Sequence, residues 1–93
     1  MVIGLLRVRL HIPGADSLKD KRAVIKPLIH RLRTSHNVAV GEIEDQDVWR
    51  SAVLAVATVY ANRAQVESLL VKVAKEIAGG EDYEVVEELV EYL

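Results

Sequence analysis

The beginning of the chain alternates between apolar and other residues over Val2–Ile12. Even-numbered positions hold apolar residues or glycine, whereas Arg7, Arg9 and His11 fall at odd-numbered positions. Successive side chains of a strand point to opposite faces, so this pattern predicts a strand with one face toward a core. Pro13-Gly14 then favours a turn, because proline fixes φ and glycine tolerates positive φ.

The next segment carries the signals of a helix over residues 18–35. Ser17 is a good N-cap, and Asp20 is the acidic partner of a capping box three residues later. One helical face collects the apolar residues Leu18, Ile25, Leu28, Ile29 and Leu32. Pro27 lies inside this segment, where proline removes a hydrogen bond. Because the apolar stripe keeps its phase through Pro27, we predict one kinked helix rather than two.

The second half repeats the strand and helix signals. Residues 37–43 predict a second strand, and the acidic residues 44–47 a connection. Residues 49–61 predict a third strand that is polar on neither face, which is typical of a central strand covered on both sides. Asn62 and Gln65 form a second capping pattern, which begins a helix over residues 62–78 that Gly79-Gly80 ends.

In the tail, residues 83–93, the apolar residues fit a helical stripe better than strict alternation, although several of these residues have strand propensity. We predict a strand, because a fourth strand completes the order β-α-β-β-α-β. The fold class is therefore α+β, a ferredoxin-like βαββαβ sandwich with a four-stranded antiparallel sheet and two helices on one face. The predicted core comprises Val8, Leu10, Ile25, Leu28, Leu32, Val66, Leu69, Leu70, Val73 and Ile77.

Composition narrows the class of protein. Ninety-three residues, of which 51% are hydrophobic, suit one domain over residues 1–93. The chain has no cysteine, so it has no disulfide and no thiolate metal site. Arg7 and Arg9 interrupt the first apolar residues, and no apolar run approaches the roughly 18 residues of a membrane helix. We expect a soluble, cytoplasmic protein without a membrane contact.

Charge is sorted along the chain. Residues 1–36 contain eight Lys or Arg and two Asp, for a formal charge of +6, whereas residues 37–93 contain four Lys or Arg and twelve Asp or Glu, for −8. Such sorting is informative about partners rather than about chemistry.

A basic stripe follows the first predicted helix. Lys19, Arg22, Lys26, His30 and Arg33 are spaced by three or four residues and share one helical face. A stripe of this kind can follow a phosphate backbone. The hypothetical RNA- or phosphate-binding residues are Lys19, Lys21, Arg22, Lys26 and Arg33. The alternative is an ordinary solvated helix face.

The sheet face opposite the helices offers a second candidate surface, with Arg7, Arg9, His11 and Trp49 as its hypothetical residues. The face has no aromatic residues on its first strand, unlike sheets that stack RNA bases. We expect Glu84, Glu87, Glu88 and Glu91 of the neighbouring fourth strand to neutralise the two arginines. An apolar third strand beside Trp49 favours homodimerisation through this face instead.

Enzyme and metal chemistry find little support. His11, His30 and His36 are scattered, and Ser17 has no evident general base. The acids of residues 42–47 lack the glycine of an EF-hand loop, so a solvated turn is the preferred interpretation. We predict no catalytic residues, no metal and no cofactor.

Four segments carry a family resemblance. They are Leu10–Ala15, Ser17–Arg22, Leu32-Arg33 and Asp47–Trp49. Together they resemble the YlxP-like family of small bacterial proteins, a domain of unknown function. The family usually has Glu at Asp20, Leu at Val48 and no proline at Pro27.

The resemblance covers the whole chain and implies a ferredoxin-like sandwich with sheet order 4-1-3-2. It implies no established activity. Members are often encoded beside translation and ribosome-maturation genes, which favours RNA or a ribosomal particle as the partner. The leading interpretation is therefore a binding module that contacts RNA through its basic first helix. The alternative is a homodimeric protein-interaction or regulatory domain that uses the open sheet face.

Overall fold

The computed structural model describes all residues, 1–93, as one sheet covered by two helices. The elements in chain order are β1 (Val2–His11), α1 (Leu18–Ser35), β2 (Ala39–Glu44), β3 (Ser51–Tyr60), α2 (Arg63–Ala78) and β4 (Glu84–Tyr92). The sheet order is β2-β3-β1-β4, and every neighbouring pair is antiparallel. This is the ferredoxin-like α+β fold, and the prediction that the tail forms a strand is confirmed.

Strand alternation places the core on the helix side of the sheet. Leu6, Val8 and Leu10 of β1 are buried and lie opposite buried residues of β3. Both helices contribute to the same core cluster, so they pack on one face. All ten predicted core residues are buried: Val8, Leu10, Ile25, Leu28, Leu32, Val66, Leu69, Leu70, Val73 and Ile77.

Both helices begin at the predicted caps. Ser17 Oγ accepts a hydrogen bond from the backbone N–H of Asp20, and Asn62 Oδ1 accepts one from Gln65. Each cap satisfies an N–H group that has no partner within its helix. Pro27 lies on the exposed side of α1, inside a helix that runs unbroken over Leu18–Ser35. The helix therefore continues through Pro27 as a single element.

Two β-bulges break the alternation of the edge strands. In β2 the register shifts between Glu42 and Glu44, so Glu42 lies opposite Leu54 on the core face while Glu44 lies opposite Val53 on the open face. In a regular strand the two carboxylates would share one face, because the side-chain period is two, and the bulge at Ile43 places them on opposite faces.

The second bulge explains the ambiguous pattern of the tail. The register of β1 with β4 shifts after Arg9, so Arg9 lies opposite Glu87 and Leu10 lies opposite Val85. Val86 is the extra residue. The bulge turns Val85 toward the core and Glu87 toward the open face, which is why the tail departs from strict alternation.

The first and last strands of the chain pair with each other. Ile3 and Leu93 exchange backbone hydrogen bonds of 3.1 and 2.8 Å, and Gly4 lies opposite Tyr92. β1 is therefore central, with the last strand of the domain on one side and β3 on the other.

Candidate functional site

Lys21 is buried between α1 and the loop that joins β2 to β3. Only 1% of this residue is exposed. Its Nζ donates to the carbonyl oxygens of Asp45 at 2.6 Å, Gln46 at 3.2 Å and Ser51 at 3.2 Å. These bonds use all three donors of the ammonium group. Nζ also lies 2.8 Å from Glu42 Oε2, which has no directed hydrogen bond of its own, so that contact is an ion pair.

The burial of Lys21 corrects the sequence-based prediction that it binds phosphate. An ammonium group enclosed by three carbonyls and a carboxylate cannot reach a ligand at the surface. One signal for this was present in the sequence. Lys21 stands in phase with Ile25, Leu28 and Leu32, the inward-facing stripe of α1, rather than with the basic residues beside it.

Asp45 joins the same loop to the open face of the sheet. Its backbone has a positive φ of 61°, a conformation that aspartate tolerates. Its Oδ2 accepts hydrogen bonds from Ser51 Oγ at 2.7 Å and from Arg9 Nη1 at 2.5 Å. The Ser51 hydroxyl first, and the Arg9 guanidinium next, hold the pKa of the Asp45 carboxyl below its usual value. The same hydrogen bond to Asp45 raises the pKa of Arg9.

The acids at the end of β2 and in the β2–β3 loop are mostly ion-paired, while Glu44 and Asp47 stay exposed, so the predicted turn is solvated but most of its acids have a basic partner. Glu42 pairs with Lys21, Glu44 pairs with Arg7, and Asp45 pairs with Arg9. The β2 bulge makes this possible, because it sends the first of these acids to the core face and the second to the open face. Asp47 alone among them has no ion pair.

The arginines of the open face are neutralised, but only partly by the tail. Arg9 Nε lies 3.4 Å from Glu87 Oε2 in β4, as expected. Arg7 pairs instead with Glu44 of β2. Glu84, Glu88 and Glu91 form no ion pair. The long-range register decides these partners, and a sequence pattern does not reveal it.

His11 remains on the open sheet face at the end of β1, where it pairs with Ser51 and Glu84, whereas Trp49 does not belong to the sheet. The His11 ring Nδ1 donates to the carbonyl oxygen of Arg50 at 3.2 Å, at the end of β1. Trp49 precedes β3, which begins only at Ser51, and it is 52% exposed in the loop. The prediction of Trp49 as a sheet-face residue was wrong, because the turn that starts at Asp45 leads the chain away from the strand pairing.

Lys19, Arg22, Lys26 and Arg33 form the basic face of α1. All four are exposed, and none takes part in any of the eight ion pairs of the chain. Arg33 Nη2 donates to the Val40 carbonyl oxygen at 2.5 Å, which places this face on the β2 side of the helix. The structure thus separates these four residues, which have no acidic partner, from the buried Lys21; Lys19, Arg22 and Lys26 are free, and Arg33 is held by the Val40 carbonyl.

The open sheet face also holds a small apolar area. Ile3 lies opposite Val59, while Leu5 and Ala39 both lie opposite Ala57. These five residues, the apolar sheet patch, lie beside the neutralised charges of Arg7 and Arg9. Val53 of the same face is 1% exposed although no helix covers it, because the adjoining ion pairs enclose its side chain.

Comparison with known proteins gives a family. The family model described as "Protein of unknown function (DUF503)" matches residues 3–89, which is nearly the whole chain. The chain belongs to this family.

The chain is also similar to one curated protein in sequence and to one solved structure in fold. The chain is 38% identical over 72 residues to "Uncharacterized protein YlxP" of Bacillus subtilis (strain 168), covering 77% of this chain and 78% of that protein. The solved structure "De novo designed protein Foldit4" is similar with a TM-score of 0.50 at 17% identity, covering 99% of this chain and 94% of that one. The second likeness concerns the fold alone.

Three exposed features distinguish the surface of this DUF503 chain. No group of three or more His, Cys, Asp or Glu side chains is placed to hold a metal ion. None of its helices combines the length and apolar character that crossing a membrane requires. What the structure presents is an unpaired cationic helix face, an anchored loop with an exposed Trp49, and the apolar sheet patch.

Proposed function

We propose that this protein is a binding module that contacts the phosphates of RNA through the basic face of α1. One observation carries the proposal: Lys19, Arg22 and Lys26 are exposed and have no acidic partner, whereas Arg7, Arg9 and Lys21 are all paired. Cations that the protein does not neutralise itself are the ones available to release counterions from a phosphate backbone.

The arrangement of the helix supports a continuous contact. From Lys19 to Arg33 the helix rises about 21 Å, at about 1.5 Å per residue, which is long enough to follow several nucleotides. Arg31, on the opposite flank of α1, faces α2, with its Nε 4.0 Å from Glu76 Oε1. The free cations are therefore on the β2 side, away from the acids of α2 and β4.

The test is the salt dependence of RNA binding. Replacing Lys19, Arg22 and Lys26 together by Gln removes three phosphate contacts, so the slope of log K against log salt should become shallower by roughly 2–3. The measurement is fluorescence anisotropy with a labelled single-stranded RNA at several salt concentrations. The matched control is the double change of Lys72 and Lys75 to Gln, two exposed cations of α2, which should leave the slope nearly unchanged.

Circular dichroism must first show both variants folded, since exposed substitutions of this kind usually cost about 0.5 kcal/mol or less. A triple variant with the affinity and slope of the natural chain would falsify the phosphate role.

The apolar sheet patch supports a second candidate, a homodimeric interaction domain. Arg7 and Arg9 beside it are neutralised internally, so a second copy would meet little net charge. If this surface mediates association, Ala57→Arg should convert the dimer to a monomer in light scattering at micromolar concentration. A monomer in the natural chain over that range would remove the second candidate and leave the RNA proposal standing.

A further inference from the structure

The single tryptophan of the chain is presented to solvent by a loop. Trp49 lies within residues 45–50, between β2 and β3, and about half of it is exposed. Tryptophan in a small domain is ordinarily a core residue because of its large apolar area. An exposed tryptophan that contributes little to the core calls for another explanation.

The loop that carries Trp49 is anchored on three sides. Lys21 holds the loop carbonyls from the helix side, and Arg9 holds the Asp45 carboxylate from the open face. Arg50 Nε donates to the carbonyl oxygen of Ala15 at 3.0 Å, and its Nη2 lies 2.8 Å from an oxygen of Asp16. A loop held in this way loses little conformational freedom when a ligand binds.

We propose that Trp49 is a stacking platform for an unpaired base of single-stranded RNA whose phosphates lie on the basic face of α1. This inference rests on the proposed function. The link between the two surfaces is Lys21, which belongs to the same turns of α1 as Lys19 and Arg22 and whose ammonium group holds the loop. Proteins that bind single strands combine a cationic track with aromatic side chains on which bases stack.

The surroundings of Trp49 favour a base over a protein partner. The shallow concavity at the loop is lined only by Asp47, Val48, Trp49 and Arg50. Val48 is the one apolar neighbour, whereas a tryptophan that anchors a protein interface lies in a larger, fully desolvated apolar area. A base needs only one exposed aromatic face.

The charge of Asp47 should affect binding of RNA and binding of a basic protein in opposite directions. Its carboxylate is exposed and unpaired, two residues from Trp49. It repels a phosphate near the stacked base, and it attracts the cations of a basic protein. Asp47→Asn should therefore tighten RNA binding severalfold and weaken the binding of a basic polypeptide.

The experiment uses the emission of Trp49 itself, since no other tryptophan contributes. The full chain is titrated with an oligouridine RNA of ten nucleotides and with an abasic strand of the same length. We expect the RNA to quench the emission and the abasic strand to leave it unchanged. Trp49→Ala should weaken RNA binding roughly 5- to 100-fold without changing the salt slope, because it removes one stacked base and no charge. Trp49→Phe should retain most of the affinity.

Other outcomes are distinguishable. RNA binding with a normal salt slope, but with unchanged emission and equal affinity for the abasic strand, overturns the platform and leaves the phosphate contact intact. Quenching by RNA with an unchanged salt slope in the Lys19, Arg22 and Lys26 variant supports stacking and contradicts the phosphate contact. Quenching by polylysine that Asp47→Asn abolishes, without quenching by RNA, replaces the base by a basic protein.

Discussion

The ammonium group of Lys21 lies 2.6 Å from the carbonyl oxygen of Asp45, 24 residues further along the chain. The carbonyl oxygens of Gln46 and Ser51 and the Glu42 carboxylate complete its surroundings. A buried charge is tolerated when its hydrogen bonds are satisfied and an opposite charge is near, and both conditions hold here. Lys21 thus joins the first helix to the β2–β3 loop.

Lys21→Met should destabilise the protein by about 3 kcal/mol, because it leaves Glu42 and the loop carbonyls without their partner. Lys19→Met is the matched control on the exposed side of the same turn, and it should cost at most about 0.5 kcal/mol. Urea denaturation of both variants measures the difference. Adding Glu42→Gln to Lys21→Met should recover part of the loss, since it removes the orphaned charge. Equal stability of the two lysine variants would contradict the structural role.

The interaction of Asp45 with Ser51 and Arg9 predicts that the free energy of unfolding depends on pH in the acidic range. Because the folded protein lowers the pKa of the Asp45 carboxyl, the unfolded chain binds more protons between that lowered pKa and the usual value of about 3.9. This contribution to the free energy of unfolding is present above about pH 4 and is lost as pH falls through the lowered pKa. Asp45→Asn should remove it, so the stability of the variant should decline less between pH 5 and pH 2. Parallel decline of the two proteins would show that the carboxyl contributes nothing.

Side chains of helix α2 pack directly against β1 at Gly4. A Cβ atom added there would lie 3.0 Å from Leu70 Cδ1 and closer still to Val66 Cγ1. We expect Gly4→Ala to destabilise the protein by about 1–3 kcal/mol, the usual cost of overpacking a core. Gly41→Ala is the control, because nothing lies within 4 Å of its added Cβ atom. Thermal unfolding should show a clear loss for the first variant and little change for the second.

The hydroxyl of Tyr83 donates a hydrogen bond of 2.5 Å to the carbonyl oxygen of Ile77, near the end of α2. Burial raises the pKa of this phenol. Tyr83→Phe should cost about 1 kcal/mol, since the Ile77 carbonyl still accepts from Gly80 N–H. Tyr92→Phe provides the comparison, because the Tyr92 ring packs on the Arg63 guanidinium at 4.0 Å without a hydrogen bond from its hydroxyl. Similar denaturation midpoints for the two variants would show that the Tyr83 hydroxyl is not a stabilising donor.

Much of the fold could be predicted because its signals are local. Alternation identified the core face of β1, and side-chain caps identified the starts of α1 and α2. Charge alone could not predict that Lys21 is buried while Lys19 and Arg22 are exposed. The difference depends on Glu42, a partner of Lys21 that lies far along the chain.

The position of Trp49 also depends on contacts between residues that are far apart in the sequence. An unbroken apolar run such as residues 52–57 marks a central strand but not where it begins. The start of β3 is set by the bulge near Ile43 and by the anchored turn at Asp45, and both depend on residues from β1 and α1. The candidate surfaces therefore emerged from tertiary contacts more than from the sequence pattern.

The pairing of Gly4 with Tyr92 has a consequence for the kinetics of folding. The central strand β1 pairs with the edge strand β4 from the other end of the chain, so the entropy of closing this long loop must be lost before the contacts form. Domains with many such distant pairings fold more slowly than domains whose contacts are mostly local. Until β4 pairs with it, β1 exposes an unpaired strand edge. The partly folded chain is therefore more prone to associate wrongly than the folded domain.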